Sequence, residues 1–375
     1  MNINLLLLLV SLYHINCKLP FFNILSEKDP LFQEKNITYI YGHKNPDTDS
    51  ISSAIILADL LSQKYPDKVF IPGRLGDLNK ETKYALELFN FSEPIKIDDP
   101  SGADQIILVD HNSPAQSLDF DKANIVGLID HHAITGFYTN DPITIITKPV
   151  GCTSTILYEL YKSNNIKIPK KIAGLIISAI ISDTLLLKSP ITTEEDRDAV
   201  TNLADYADVI IENYGFDLLK RGCDVTDLTE EEIINLDSKF YKVNGYKIQI
   251  AFLNSVEVSD FLKTRKNQVL KAINNFVETN KMQLFILVIV DIMDMDSTCL
   301  IGGQYVESVE KAFNVTVVEN EVFLKGISSR KKQVYPKLAE YFEEMPEYKE
   351  TNTNNKEIIK INWLLLICVL IYIIN

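Results

Sequence analysis

Short apolar runs alternate with helical patterns through the first half of this chain, beginning near Asn36. Parallel strands need long crossover connections, which helices usually supply, so this alternation predicts an α/β domain with a parallel sheet. The runs are continuously apolar, as is typical of strands covered on both faces. The predicted strands are ITYIY, KVFIPG, QIILVD and NIVGLID, and the predicted helices are SISSAIILADLLSQKY, NKETKYALELFNF, GCTSTILYELYKSNN and KKIAGLIISAIISDTLL.

The second half of the chain has the pattern of a smaller unit with its own core. After about Pro190 the sequence becomes helical and charged, and TTEEDRDAVTNLADYA begins with a helix-start signal. The segments IIENYGFDLLKRG and DLTEEEIINLDSKF continue the helical pattern. The next elements are the strands YKIQIAFL, LFILVIVD and STCLIGG, a charged helix from Val258 to Asn280, the helix VESVEKAFN and a hairpin in VTVVENEVFLKG. Together they predict a mixed α/β domain.

The two ends of the chain are apolar. The run NLLLLLVSLY has the length of a signal-peptide core, although no Lys or Arg precedes it. The last run, INWLLLICVLIYIIN, follows a polar spacer, which fits a tail anchor or a lipid-anchor signal. We therefore expect a secretory or membrane-associated protein, with apolar helices packed on the body as the alternative. The predicted segments are a leader at 1–17, a first domain at 36–222, a linker at 223–234, a second domain at 235–345, a spacer at 346–360 and a tail at 361–375.

Acidic residues outnumber basic ones in this chain, 51 against 37, which gives a net charge of −14. Sequence-independent binding of nucleic acid needs a basic surface, so we expect no nucleic-acid partner. An anionic substrate would have to be bound by a local group of cations or by metal. The five cysteines are scattered and show neither metal-ligand spacing nor a disulfide framework.

Four of the five histidines lie where predicted strands end, each beside or near an aspartate. His43 follows ITYIY, and His111 follows QIILVD. His131 and His132 close NIVGLIDHH. Because ligands bind beyond the carboxyl ends of the strands in open α/β sheets, we expect a functional site at this edge.

The candidate site combines four carboxylates with two imidazoles: Asp47, Asp49, Asp110, Asp183, His43 and His131. Bringing so many anions together is costly unless cations compensate them. A divalent metal would do so, and an oxygen-rich set without thiolates favours Mn²⁺ over Co²⁺, Zn²⁺ or Fe²⁺. Six ligands with one bridging carboxylate fit a two-metal centre of the kind that promotes phosphoryl transfer to water.

Each carboxylate also has a simpler interpretation when it is taken alone. Asp47 or Asp49 is a candidate helix N-cap, and Asp110 and Asp183 could cap turns. Their joint occurrence with most of the histidines favours a site over four separate caps.

A basic loop, SSRKKQ, lies between an apolar strand and the helix VYPKLAEYF of the second domain. It contains Arg330, Lys331 and Lys332. Such a run is usually a solvated loop. The alternative is an anion clamp, in which arginine makes bidentate contacts to phosphate and lysine adds a point charge.

The motifs GHKNPDTDS, VDHN, IDHH, SDT and SRKKQ, in this order, resemble those of the family II, manganese-dependent inorganic pyrophosphatases of the DHH phosphoesterase superfamily. The similarity covers roughly residues 37–342. The DHH motif alone is shared with RecJ-type nucleases and exopolyphosphatases, so its pairing with SRKKQ is the more specific signal. The resemblance implies an N-terminal parallel-sheet DHH domain and a smaller mixed α/β C-terminal domain, with the active site in the cleft between them.

The resemblance also implies the roles of the site residues. One Mn²⁺ would have the ligands His43, Asp47 and Asp110. The other would share Asp110 as the bridging ligand and add Asp49, His131 and Asp183. The phosphates would be bound by His132, Lys239, Arg330 and Lys331. Asp130 and His111 would orient the ligands. Co²⁺ is an alternative metal, and Mg²⁺ is expected with the substrate.

The implied activity is hydrolysis of inorganic pyrophosphate to two phosphates by a two-metal centre, with a bridging hydroxide as the nucleophile. One alternative is a short-chain exopolyphosphatase of the prune type. That group often has arginine where His132 stands, so His132 favours a pyrophosphatase. Another alternative is an inactive, membrane-tethered binding protein, which the intact ligand set disfavours. Members of the family are typically soluble and cytosolic, so the cytoplasm is the alternative location, and the sequence leaves a homodimer open.

Overall fold

The computed structural model describes residues 37–100 and 105–349 of the chain. These residues form two compact units, and the boundary in the chain lies between Thr226 and Asp227. The predicted leader, the predicted tail and most of the spacer lie outside the described residues. Among the helices that the structure describes, none is both long enough and apolar enough to cross a membrane.

The first unit is built on a six-stranded parallel sheet. Its strands are β1 (Ile37–Tyr41), β2 (Val69–Arg74), β3 (Ile95–Lys96), β4 (Gln105–Val109), β5 (Ile125–Asp130) and β6 (Thr144–Thr147). They lie in the order β3-β2-β1-β4-β5-β6, so the direction in which strands are added reverses between β1 and β4. Ligands bind at such a switch point, beyond the carboxyl ends of the strands.

Helices supply the crossovers and cover the sheet of the first unit. They are α1 (Thr48–Lys64), α2 (Lys80–Leu88), α3 (Thr153–Ser163), α4 (Lys170–Asp183), α5 (Glu194–Ala207) and α6 (Ile211–Gly222). Helix α1 contacts β1 and β2 as well as α3 and α4, and its apolar residues belong to the main core. Every residue of β4 and β5 is buried, which confirms the inference from their continuous apolar sequences.

The second unit contains a five-stranded mixed sheet in the order β11-β10-β9-β8-β7, in which only β8 and β9 pair in parallel. The strands are β7 (Ser238–Val243), β8 (Tyr246–Ser255), β9 (Leu284–Asp291), β10 (Asp296–Gly303) and β11 (Glu321–Leu324). The helices are α7 (Glu230–Asn235), α8 (Val258–Asn280), α9 (Val306–Phe313) and α10 (Tyr335–Glu344). A π-helical turn, Arg330–Val334, leads into α10. The predicted mixed α/β class is confirmed.

Two of the local predictions in the second half need correction. The hairpin in VTVVENEVFLKG forms only at its turn, where the backbones of Val318 and Glu321 exchange both hydrogen bonds. Its second arm is β11, which pairs with β10, whereas the N–H groups of Val315 and Val317 in the first arm donate to Glu310. The end of DLTEEEIINLDSKF is not helical: α7 stops at Asn235, and Lys239 lies on β7, where pairing with β8 overrides the helical pattern.

Candidate metal centre

All six predicted metal ligands lie at the carboxyl edge of the first sheet. Three of them follow strands, two lie at the start of α1, and one ends α4. The potential ligand atoms form three overlapping or neighbouring groups, each within 4.8 Å: His43 with Asp47 and Asp110, Asp110 with His131 and His132, and Asp49 with Cys152 and Asp183.

Asp110 is the central residue of this site. It is 1% exposed, and the chain turns at it with a φ of 58°, a left-handed conformation that aspartate tolerates better than most residues. Its Oδ2 lies 3.5 Å from His43 Nε2, and its Oδ1 lies 3.5 Å from His131 Nε2. Thr153 Oγ1 donates a hydrogen bond to Oδ1 at 3.2 Å. The two oxygens of Asp110 thus face two different imidazoles, as the oxygens of a bridging carboxylate would.

Asp47 caps a helix and also contacts one of the candidate histidines. Its Oδ1 accepts a hydrogen bond from Ser50 N at 2.9 Å, so it is the N-cap of α1. Its Oδ2 lies 3.3 Å from His43 Nε2. Burial lowers the pKa of His43, but its contacts with the carboxylates of Asp110 and Asp47 outweigh this effect and raise the pKa to about 10. In the metal-free protein His43 is therefore an imidazolium held by two carboxylates.

Asp49 is fully buried against the N-terminus of α3. Its Oδ1 accepts hydrogen bonds from Ser53 Oγ at 2.8 Å, Ser154 Oγ at 2.7 Å and Ser154 N at 3.1 Å, and its Oδ2 accepts one from Thr153 N at 2.7 Å. Burial raises the pKa of Asp49, but the charge of His131 and the bonds from Ser154 outweigh it and lower the pKa below its usual value. Each carboxylate oxygen has about two lone-pair sites. Of these four bonds Oδ2 accepts one, which leaves its second site for a metal.

Asp183 and His131 complete the site on the other side of Asp110. His131 Nδ1 donates to Val150 O at 3.0 Å, which leaves Nε2 facing the carboxylates, and Asp183 Oδ2 lies 3.9 Å from this nitrogen. A hydrogen bond of this kind fixes the tautomer that a metal ligand needs. Burial lowers the pKa of His131, but the hydrogen bond to Asp110 outweighs it and raises the pKa to about 9.

Cys152 was not predicted to belong to the site, but its fully buried thiol lies with Asp49 and Asp183. Burial and the neighbouring carboxylates raise the pKa of the thiol well above its usual value, so it is neutral in the metal-free protein. Its position just before α3, in the motif PVGCTSTIL, was the available signal.

The donor set fits a divalent metal. Asp110 Oδ2 is buried and makes no hydrogen bond, although His43 Nε2 lies 3.5 Å from it. Burial and the charge of Asp49 raise the pKa of Asp110 to about 6. Burial and the charges of Asp49 and Asp110 raise the pKa of Asp183. Buried anions that repel one another require a cation. Donors bound to one metal at about 2.1 Å lie about 3 Å apart at right angles, close to the nitrogen–oxygen separations of this site.

Asp130 holds the exposed histidine of the DHH motif. Its Oδ1 accepts hydrogen bonds from His132 N at 3.0 Å and His132 Nδ1 at 2.9 Å, and its Oδ2 accepts one from Asn112 Nδ2 at 2.6 Å. The side chain of His132 is 54% exposed, and with Nδ1 engaged its Nε2 is the atom that can reach a ligand. Asn112 was not predicted. It also accepts a hydrogen bond from Thr135 N at 2.7 Å and so shapes the loop after the motif.

His111 lies behind the site. It is buried, its Nδ1 donates to Val109 O at 2.9 Å, and its ring stacks on Tyr41 with 6.3 Å between the centroids. Burial lowers the pKa of His111 to about 4, so the ring is neutral. These contacts tie His111 to the ends of β1 and β4.

In the second unit, Arg330 is already positioned by its neighbours. Its NH1 and NH2 donate to Asp237 O at 2.7 Å and Asp237 Oδ1 at 2.8 Å, and its guanidinium lies 5.6 Å from the ring centroid of Phe252. Lys239 follows Asp237 by two residues on β7. Asp237 therefore links the SSRKKQ loop to the strand that carries Lys239, while Lys331 is exposed within the π-helical turn.

Comparison with known proteins shows which family the chain belongs to. The DHH family N-terminal domain matches residues 37–180, and the DHHA2 domain matches residues 217–341. The manganese-dependent inorganic pyrophosphatase of Bacillus subtilis (strain 168) is 45% identical over 303 residues, which cover 80% of this chain and 97% of that protein. The chain belongs to the family II inorganic pyrophosphatases. A Brevibacillus brevis protein, named a probable manganese-dependent inorganic pyrophosphatase, is 44% identical over 81% of this chain and 98% of its own length.

A solved structure of the family has the same fold. The crystal structure from Methanococcus jannaschii, assigned to the family II inorganic pyrophosphatases, superposes with a TM-score of 0.56 at 41% identity and covers 81% of this chain and 99% of that one. The resemblance seen in the motifs and the two-domain α/β class are thereby confirmed. In this family II pyrophosphatase chain, the DHH motif ends β5 and the SRKKQ motif forms the turn before α10.

Proposed function

We propose that this protein hydrolyses inorganic pyrophosphate to two phosphates. The observation that carries the proposal is the central carboxylate of a family II pyrophosphatase chain: Asp110 is buried, faces two imidazoles and has one oxygen without a hydrogen bond. The relatives of this chain are named as manganese-dependent enzymes. Mn²⁺ is also the metal that the oxygen-rich set of candidate ligands favours.

The residues of the first unit would hold two Mn²⁺ ions. His43, Asp47 and Asp110 form one ligand set, and Asp49, Asp110, His131 and Asp183 form the other. When bound, the metal supplies Lewis acidity for activating water and neutralising phosphate charge. The protein keeps Asp49 ionised through the N-terminus of α3 and orients the imidazole of His131 through Val150 O.

Basic and imidazole side chains would bind the phosphates. Asp130 fixes His132 Nδ1, so that Nε2 is presented to a phosphate oxygen. In the second unit, Arg330 would supply a planar donor group, and Lys239 and Lys331 would add point charges. These groups neutralise charge that accumulates on the departing phosphate.

The substrate test separates pyrophosphate from longer chains. With Mn²⁺ bound, we expect phosphate release from pyrophosphate to be at least about tenfold faster than from tripolyphosphate, which corresponds to a modest difference in transition-state binding. The measurement is the initial rate of phosphate release at equal concentrations of the two substrates. Faster release from tripolyphosphate would instead support the exopolyphosphatase alternative.

Binding of Mn²⁺ is expected to release protons. In the metal-free protein the pKa values of His43 and His131 are raised to about 10 and about 9, so both rings are charged at neutral pH. A ligand nitrogen must be neutral, so at least about two protons should leave per chain, and affinity should increase as the pH rises towards these values. Calorimetric titration with Mn²⁺ in two buffers of different ionisation enthalpy measures the number released. Binding without proton release would contradict the assignment of these two histidines.

The remaining properties are proposed on the sequence and the family resemblance. We propose that Co²⁺ can replace Mn²⁺ and that Mg²⁺ accompanies the substrate. A secretory or membrane-associated location through the apolar ends, the cytoplasmic alternative and a homodimer remain predictions. Mass spectrometry of the mature termini and the sedimentation of the purified protein test them.

A further inference from the structure

A buried carboxylate outside the proposed ligand set joins two segments that carry ligands. Glu81, in the first turn of α2, is 8% exposed. Its Oε1 accepts a hydrogen bond from Thr48 Oγ1 at 2.6 Å and another from Ser182 Oγ. Thr48 stands between the two aspartates at the start of α1, and Ser182 directly precedes the aspartate that ends α4. One oxygen atom therefore connects the neighbours of three proposed metal ligands.

The surroundings of Glu81 hold its side chain in place. Thr82 Oγ1 lies 3.1 Å from Thr48 Oγ1 and extends the hydrogen-bonded group. On the other side, the carboxylate packs against the end of α6: a Cβ added to Gly222 would lie 2.5 Å from Glu81 Oε2. Oε2 therefore lies close to the backbone at Gly222, on the side away from the two hydroxyls that bond to Oε1.

Stabilising the start of α2 does not account for Glu81. That role is filled by Asn79, whose side chain accepts a hydrogen bond from Thr82 N at 2.7 Å. A buried carboxylate is costly, and burial raises the pKa of Glu81. A carboxylate in such a place needs hydrogen-bond donors for its oxygens. The donors to Glu81 are Thr48 and Ser182, which adjoin the proposed metal ligands.

We propose that Glu81 is a positioning residue for the metal centre, which fixes the end of α4 relative to the start of α1. It would set the separation between Asp49 and Asp183, and with it the affinity for the metal that these two carboxylates bind. Partners behind the ligands commonly change metal affinity by about 10–100-fold. The inference rests on the proposed function only in requiring that the site binds Mn²⁺.

The test is Mn²⁺ affinity, measured by calorimetric titration of the whole metal-stripped protein. Glu81→Ala removes the shared acceptor, and we expect the dissociation constant for Mn²⁺ to rise about tenfold. Glu81→Gln keeps one acceptor oxygen and should restore affinity to within about threefold. The matched control is Glu87→Ala, an exposed glutamate on the same helix, which should bind Mn²⁺ as the unaltered protein does. Unaltered affinity in a folded Glu81→Ala protein would overturn the proposal.

A double variant shows whether Glu81 acts through Ser182. Ser182→Ala alone removes one donor and should also weaken Mn²⁺ binding. Combined with Glu81→Ala it should add little, because both changes break the same link. Fully additive losses would contradict this route, and if Glu81→Ala fails to fold, an unaltered Mn²⁺ affinity of Ser182→Ala overturns the proposal by itself. Normal Mn²⁺ binding without pyrophosphate hydrolysis in the unaltered protein would instead refute the proposed function and leave this inference standing.

Discussion

Asp110→Asn should reduce the turnover of pyrophosphate by at least about 10³-fold and weaken the binding of Mn²⁺, because a carboxamide offers one oxygen where the site needs two. In the structure each oxygen of Asp110 faces a different imidazole, His43 or His131. The amide nitrogen of the variant would have to face one of these positions and would place a donor where a metal binds. The substitution preserves shape, so the fold should survive. The measurements are kcat and the Mn²⁺ dissociation constant of the same preparation.

The control for this prediction is Asp67→Asn, the same chemical change at an exposed residue of the first unit. It should leave both turnover and Mn²⁺ binding unchanged. If Asp110→Asn retained full turnover with normal metal content, the site would not be catalytic, and the alternative of an inactive binding protein would be favoured.

Arg330→Ala should also have a large effect: we expect kcat/KM for pyrophosphate to fall by about 10²–10³-fold. The guanidinium is fixed by two hydrogen bonds to Asp237 and by the ring of Phe252, so little entropy is lost when it binds a phosphate. Binding of Mn²⁺ should be unaffected, because the proposed ligands belong to the first unit. Steady-state kinetics with calorimetric Mn²⁺ titration separates the two effects.

Lys332→Ala is the matched control for Arg330, since Lys332 is an exposed cation two residues away in the same turn. Its loss should change kcat/KM by less than about threefold, as expected for a solvated charge. Equal effects of the two substitutions would mean that the loop acts only through its total charge. If Arg330→Ala had no effect on kcat/KM, the interpretation of SSRKKQ as a solvated loop would be favoured.

The sequence was most informative where local patterns and tertiary structure agree. Strands β4 and β5 are buried on both faces, so their apolar runs were clear, and Asp110 and the DHH motif follow directly from where these strands end. Helix α8 is long and amphipathic, and its predicted bounds, Val258 to Asn280, are those of the structure. The carboxyl ends of parallel strands share one edge, so the sequence also predicted which residues would come together.

The sequence failed where long-range contacts decide the structure. Strand β6 is a four-residue, half-exposed edge strand that depends on pairing with β5. Lys239 was placed in a helical pattern, but pairing with β8 makes it part of a strand. Glu81 has no recognisable motif, and the motif PVGCTSTIL does not by itself single out Cys152. The partners of both residues lie about 30 to 100 residues away in the chain, and only the fold brings them close.

We propose that pyrophosphate hydrolysis requires Mn²⁺ bound to the six residues at the edge of the first sheet. The most direct test strips the protein of metal and titrates Mn²⁺ back while both bound metal and phosphate release are recorded. We predict no hydrolysis without metal, and turnover that increases with occupancy until about two Mn²⁺ are bound per chain. Hydrolysis by the stripped protein, or a fully loaded protein that releases no phosphate from pyrophosphate, would contradict the account.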